Sequence, residues 1–402
     1  WVAAPVSTQL ALLGFIERLV AMHKYRAHNL AMLRRVNIVQ HLLITLQRSD
    51  VETPVLEKLV VLLEIILEDG LLTSELKCVV DFVIMTFEPP KIQEIFTGRR
   101  EPGGMHVVVR NMLLEMLIDL QVTVSSEEIF ESWHKTVSLK LITYLLDEAV
   151  HPTTIRWVMT LVGVCLSSPS NFEMKFRSNG GFQGLIQVLP SFFDCPEIYY
   201  ILFCLVLGKS VYPRQPEVRM LDFLALMPDN GSSVELLFTD LLEAIVLMSK
   251  RAFDRLCLQL NSIEQATDQM QRSFPFDDNF SGITDSSEQL QGEALLHKTY
   301  AARLLGGEAA SPAVVTSMIR YMVDLAKMCP AFSATLRRQD LLESCCDLYF
   351  SCVRFVNFLV HVPKLDCFQF LFSGHIWGTN VIYWHISQLG LHMLLRDFNV
   401  QK

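Results

Sequence analysis

Asn171–Pro228 reads NFEMKFRSNGGFQGLIQVLPSFFDCPEIYYILFCLVLGKSVYPRQPEVRMLDFLALMP. It holds two short apolar helical patterns, Phe182–Leu189 and Glu197–Leu207. A glycine pair precedes the first, Pro190 to Pro196 separates the two, and Gly208 ends the second. Gly and Pro at these places are the expected punctuation of a helix–turn–helix layer. Neither helix buries its apolar surface alone, so each requires neighbours before and after it.

The composition agrees with that need. The 402 residues are 51% hydrophobic and 19% charged, against about 45–50% and about 25% in ordinary globular domains. A chain this apolar either spans a membrane or packs most of its helix surface on other helices. Spanning takes roughly 20 consecutive apolar residues. Ile198–Leu207 is bounded by Pro196 and Lys209, and Leu59–Leu67 is interrupted by Glu64, so a soluble, cytoplasmic protein is expected. The start, Trp1-Val2-Ala3-Ala4-Pro5, lacks a secretory pattern and an initiator Met, and the chain is expected to be part of something longer. The 10 cysteines include no Cys-x-x-Cys and sit mostly in apolar patterns, as thiols of a reducing compartment do.

The net charge of −9 argues against nucleic acid as a partner, which favours clustered Lys and Arg. Residues 1–50 nevertheless carry Arg18, Lys24, Arg26, Arg34, Arg35 and Arg48 against Glu17 and Asp50. They read as a solvated helix face, with a basic face for acidic partners or anionic lipid as the alternative.

Outward from the central stretch, the same pattern recurs. Helices are predicted near Ser7–Met22 and His28–Leu46. Thr53-Pro54 opens one that runs to Glu68 and stops at Gly70, with Thr53 as its cap and Glu57, Glu64 and Glu68 on one narrow polar stripe. Thr73 caps another through Thr86. Lys91–Gly104, with Arg99 and Arg100, reads as a basic loop. Val107–Val122 carries Asn111, Glu115 and Asp119 at i, i+4 spacing. A helix from Ser126 has Lys140, Thr143 and Asp147 on its wet side and breaks at His151-Pro152; Thr154–Leu166 follows, wet at Arg156 and Thr160. Ser232–Glu235 fits a capping box for a helix to Leu260. Asn261–Gln289 is polar and reads as a mobile loop. Helices resume at Leu290–Leu305, from Ser311-Pro312 to a stop at Pro330, and over Gln339–Val353 with Ser351 on the polar side.

Paired helices recur about every 40 residues, the pitch of armadillo and HEAT arrays. The expected fold is therefore all-α, an armadillo/HEAT-like α-solenoid, with a compact helical domain as the fallback. The expected segments are an array over 1–260, a flexible polar loop over 261–289, a continued array over 290–354 and a C-terminal tail over 355–402.

No chemistry is assigned: no catalytic, cofactor-binding or metal residue is expected. Leu207-Gly208-Lys209-Ser210 resembles the end of a phosphate loop, but Phe203 stands where that motif needs Gly, and a helix precedes it. Cys345, Cys346, Cys352, His361 and Cys367 match no zinc spacing and read as core thiols. His134 and His297 lack a partner His one turn on, and Asp277-Asp278 read as solubilising charge. Tyr199-Tyr200 and Phe192-Phe193 read as core, with an aromatic peptide groove as the alternative. Phe280-Ser281-Gly282-Ile283, among Asp277, Asp278 and Asp285, fits the short aromatic-x-x-aliphatic pattern that autophagy modifiers recognise.

The stretch FDCPEIYYILFCLVLGKSVYPRQPEVRMLDFLALMP resembles the large BEACH proteins that carry WD repeats and a FYVE finger, the family of the autophagy-linked FYVE protein and the insect blue cheese protein. LQGEALLHKTYAARLLGGEAASPA, MVDLAKMCPAFSA and LLESCCDLYFSCVR look like the same family continuing, so the resemblance covers about 171–354. It implies a piece of the long helical region, in a non-catalytic cytoplasmic scaffold for selective autophagy and endosomal membrane trafficking. Its implied partners are proteins of that machinery, with membranes reached through parts outside this chain. A generic armadillo-type adaptor or small-GTPase regulator is the alternative. Phe355–Lys402, rich in Trp and Phe, does not look like the family.

Overall fold

The computed structural model describes residues 3–22, 24–48, 50–87, 104–123, 126–149, 151–168, 171–212, 223, 225–226, 236–273, 320–327, 329–339, 341, 343–348, 350–351 and 354. Among them every regular element is helical, and the chain is all-α. It divides into two compact units, Trp1–Val188 with Ser210–Gln215, and Leu189–Lys209 with Pro216–Lys402. This division falls inside the central stretch, whereas the sequence led us to expect a first boundary at 260.

The first unit contains α1 Val6–Ala21, α2 Arg26–Arg35, α3 Ile38–Leu46, α4 Thr53–Glu68, α5 Thr73–Met85, α6 Met105–Thr123, α7 Glu127–Thr136, α8 Leu139–Glu148, α9 Pro152–Ser167, α10 Phe172–Ser178 and α11 Gly181–Val188. One row runs α1, α4, α6, α9, each packed on the next. A second row pairs α3 with α5, α5 with α7, and α8 with α11. This layer-by-layer packing is the solenoid-like arrangement that the apolar circumference of the helices requires. In α4 eight side chains are buried, Val55, Leu56, Leu59, Val60, Leu62, Leu63, Ile66 and Leu67, while Glu57 and Glu68 face water and Glu64 is half-buried. Each fully buried Leu or Val contributes about 1.5–3 kcal/mol relative to its exposed state, so α4 is held by both neighbours at once.

Local differences from the sequence reading have identifiable causes. The helix expected over His28–Leu46 breaks at Asn37, whose φ of 53° is left-handed, a conformation Asn tolerates. The helix expected from Ser126 breaks between α7 and α8, where Ser138 becomes a new cap accepting from the Leu141 amide at 3.3 Å. Thr53 and Thr73 are first helical residues, not caps; Thr73 Oγ1 lies 2.8 Å from Ser132 Oγ instead. Thr160 is buried rather than wet, its hydroxyl donating back to the Arg156 carbonyl at 2.9 Å.

The second unit contains a 3-10 turn Leu189–Phe192, α12 Pro196–Val206, α13 Leu241–Ser273 and α14 Pro330–Arg338, with further helical residues at 320–327, 341, 343–348 and 350–351. α13 packs on the 3-10 turn, α12 and α14. Phe203, Phe223 and Tyr321 meet at ring-centroid distances of 4.2–6.3 Å. α12 stops at Gly208, φ 64°, and the Leu237 amide donates to the Val206 carbonyl at 2.8 Å. α13 continues through Ser273, so 261–273 is helical and not loop; Ile263, Ala266 and Met270 keep a helical spacing through its polar sequence. The helical residues 320–327 end before Pro330 as expected, and Pro330 also begins α14, because Pro fits the first turn, where its missing amide has no helical partner. Ser351 is buried.

Candidate functional site

The residues singled out from sequence fall into separate environments. Gly208 is a helix stop, and Lys209 Nζ donates to the carbonyls of Ala225 and Leu226 at 3.2 and 2.5 Å. Cys345 is buried and its thiol is pushed up by desolvation, whereas Cys346 is exposed. Cys352, His361 and Cys367 lie outside the described residues, as do Arg99, Arg100, His297, Asp277, Asp278, Asp285 and Phe280–Ile283. Burial pushes Cys165 up to about 12 and Cys204 and Cys257 up to about 11, which keeps them protonated and slow as nucleophiles at neutral pH. Tyr199 is fully buried and its hydroxyl donates to the Phe193 carbonyl at 3.0 Å; Phe192 is buried too, while Phe193 and Tyr200 are half-buried, Tyr200 against the Phe223 ring.

The basic N-terminal residues do not form one face. Arg34 reaches α4 and α5, its Nη1 donating to Asp69 at 2.8 Å and its Nε to Glu75 at 2.9 Å. Arg26 donates to the Ile65 carbonyl, Lys58 pairs with Glu17, and Arg48 pairs with Asp50. Arg26 and Arg34 tie α2 to α4 and α5, whereas Arg18 donates to Gly14 within α1, Arg35 meets Met32 and Arg48 stays with Asp50.

Open cationic surface lies elsewhere, in a cleft of about 470 Å3 between α5, α7 and α8. Lys77, Lys135 and Lys140 line it, one from each helix, with Asp81 as the single carboxylate among its lining residues. None of the three lysines forms an ion pair with a described residue. Val80 and Leu141, both buried, and half-buried Ile84 form its apolar floor. Thr73 and Ser138 stand at the N-termini of α5 and α8, where helix dipoles present their positive ends. Tyr144 closes one side, its ring 6.2 Å from Phe87 in an edge contact. Sequence reading missed this cleft: Lys77 and Lys135 are far apart in the chain, and Lys140 registered only as part of a wet stripe. The helix break at Val137-Ser138, which turns α8 away from α7, creates it, and no Gly or Pro announces that break.

A second feature is acidic. Glu64 of α4 stands near Asp119, Glu68 and Glu115, and desolvation followed by these carboxylates raises it to about 7. The polar stripes of α4 and α6 thus run side by side. His134 of α7 is stacked between Phe130 and Phe172, at 6.3 and 5.5 Å, and is pushed down by desolvation and then Lys175. Among the described residues no group of three His, Cys, Asp or Glu side chains is placed to hold a metal ion, and no helix is long and apolar enough to cross a membrane.

These features define a stacked-helix segment whose accessible chemistry is a cleft and surface charge. Protein SPIRRIG of Arabidopsis thaliana is 62% identical to the chain over 354 residues, 88% of the chain and 10% of that protein. BEACH domain-containing protein A2 of the same plant is 61% identical over 355 residues, again 88% of the chain and 10% of the relative. The chain belongs to the family of BEACH domain-containing proteins and spans about a tenth of the length of these relatives. The similarity covers 354 residues and so reaches beyond the 171–354 stretch that carried the resemblance. No family model matches the chain, and no solved structure matches it.

Proposed function

We propose that this segment is a non-catalytic scaffold region of a large BEACH-family protein, acting through protein–protein contacts in selective autophagy and endosomal membrane trafficking. The observation that carries the reading is the identity of more than 60% to two BEACH-family proteins over 88% of the chain. The stacking of helices in the first unit supports it, because each added layer extends contact surface without a catalytic geometry to keep. Membrane association of the parent protein runs through regions outside this chain.

Proximity labelling in cells tests this, comparing the full-length parent with a version lacking this segment. Loss of autophagy or endosomal neighbours on deletion is the expected result. An unchanged neighbour list overturns the scaffold role, and selective loss of small-GTPase regulators replaces the autophagy reading with the adaptor alternative.

A further inference from the structure

The geometry points to the cleft between α5, α7 and α8 as a docking site for an acidic peptide segment of a partner protein, one that carries an apolar anchor residue among Asp and Glu. This rests on the scaffold reading and names the chemistry of one contact. Lys77, Lys135 and Lys140 come from three different helices and converge on one concavity, and none has an ion-pair partner among the described residues. Three like charges against the single carboxylate of Asp81 leave the cleft with net positive charge, a cost that an anionic occupant lowers. The chain as a whole is at −9; this positive concavity is a local reversal of its field and steers negative groups to one place.

The floor decides which anion. Val80, Ile84 and Leu141 offer an apolar surface below the lysine rim. A free phosphate gains nothing from such a floor, whereas an aliphatic or aromatic side chain buries area on it worth about 25 cal/mol per Å2. Lipid headgroups lie in a plane and meet protruding basic surfaces, while these lysines surround a hollow. The Tyr144 phenol, with the hydrogen-bonding capacity left to Thr73, Thr136 and Ser138 beyond their contacts to Ser132 and the Leu141 amide, gives a peptide backbone partners along the wall. Apolar floor, polar wall and charged rim together match a short acidic segment with one buried anchor.

The test screens a random 12-residue peptide library against the whole 402-residue chain, then measures the enriched peptide by fluorescence polarisation. Enrichment of Asp and Glu around one apolar residue is expected. Affinity is expected to fall roughly tenfold or more in the Lys77→Gln/Lys135→Gln/Lys140→Gln variant and in Ile84→Asp, and to weaken with added salt. Because the three lysines are exposed, the triple variant keeps the wild-type melting temperature, which separates lost docking from lost fold. No acidic enrichment, or equal binding by the triple variant, overturns the proposal. So does full competition by millimolar inorganic phosphate, or a triple-variant defect confined to phosphatidylserine vesicles. Failure here is distinguishable from failure of the scaffold reading: the deletion of the segment would still remove neighbours in proximity labelling while the triple variant in the full-length parent would not.

Discussion

The guanidinium of Arg110 lies 4.2 Å over the ring of Phe87, and the arginine is fully buried. Its Nη1 donates to the Thr86 carbonyl at 3.2 Å, and its Nε and Nη2 donate to Thr154 Oγ1 at 3.2 and 3.1 Å. Thr154 in turn donates to Asn111 Oδ1 at 2.9 Å. One side chain therefore joins the end of α5, the start of α6 and the start of α9. Arg110→Met keeps most of the stem packing and loses the hydrogen bonds, at an expected cost of about 1–3 kcal/mol. Arg110→Ala adds a cavity and is expected to cost about 2–5 kcal/mol. Hydrogen exchange checks this: amides of α5, α6 and α9 should exchange faster than those of α1–α3. Uniform or absent change would show that Arg110 does not join these helices.

Arg34 is the corresponding tie one layer earlier. Besides Asp69 and Glu75 it donates to the Ile66 and Asp69 carbonyls at 3.0 and 2.9 Å, at the end of α4. Four acceptors in different directions need a planar fork, which an ammonium does not supply. Arg34→Lys is therefore expected to cost about 1–2 kcal/mol despite the retained charge. A urea melt showing the Lys variant equal to wild type would reduce the interaction to a screened surface pair.

Much of this architecture was legible in the sequence, for physical reasons that also explain the rest. Gly70 and Gly208 take positive φ, and Pro152 and Pro196 sit in first turns, so helix ends marked by them were readable. Asn37 and Ser138 end and begin helices without Gly or Pro, and those breaks were invisible to periodicity. Pro330 was ambiguous because Pro ends one helix as readily as it begins the next. The narrow stripe of Glu57, Glu64 and Glu68 located the polar side of α4, which is wider than expected because Val61 is also exposed; that Glu64 meets the carboxylates of α6 depends on packing between helices distant in the chain. The lysine cleft depends on the same kind of convergence, which no local window holds.

Apolar surface remains open on the first helices. Leu12 and Phe15 of α1 are 40% and 52% exposed, and Met22, just beyond α1, is 50% exposed. They fall near one side of the helix, at i, i+3 and i+10, and contribute little to the core. Leu12→Gln/Phe15→Ser/Met22→Gln should leave the melting temperature within about 2–4 °C of wild type and reduce self-association, because exposed apolar patches drive it. Light scattering at rising protein concentration reads the second effect. A large drop in melting temperature would mean these side chains are packed after all.

The pH dependence of the first unit follows from Glu64 and His134, which pull in opposite directions. Glu64 is raised to about 7 by desolvation and then by Asp119, Glu68 and Glu115, while the Tyr212 hydroxyl also faces Asp119. Its folded form holds a proton that the unfolded chain releases near 4.5, so its contribution is full at low pH and is lost as pH rises from about 4.5 through 7. His134 is depressed by burial between Phe130 and Phe172 and then by Lys175. Its contribution is present above 6.5 and is lost as pH falls below that value. Glu64→Gln should therefore stabilise the unit at pH 8, change little at pH 4.5, and flatten the decline between them. His134→Phe should leave that decline intact and flatten the loss on the acid side. Chemical denaturation of both variants at intervals from pH 4.5 to 8.5 separates the two groups. An unchanged alkaline slope in Glu64→Gln would mean that the α4 and α6 carboxylates stand far enough apart for water to screen them.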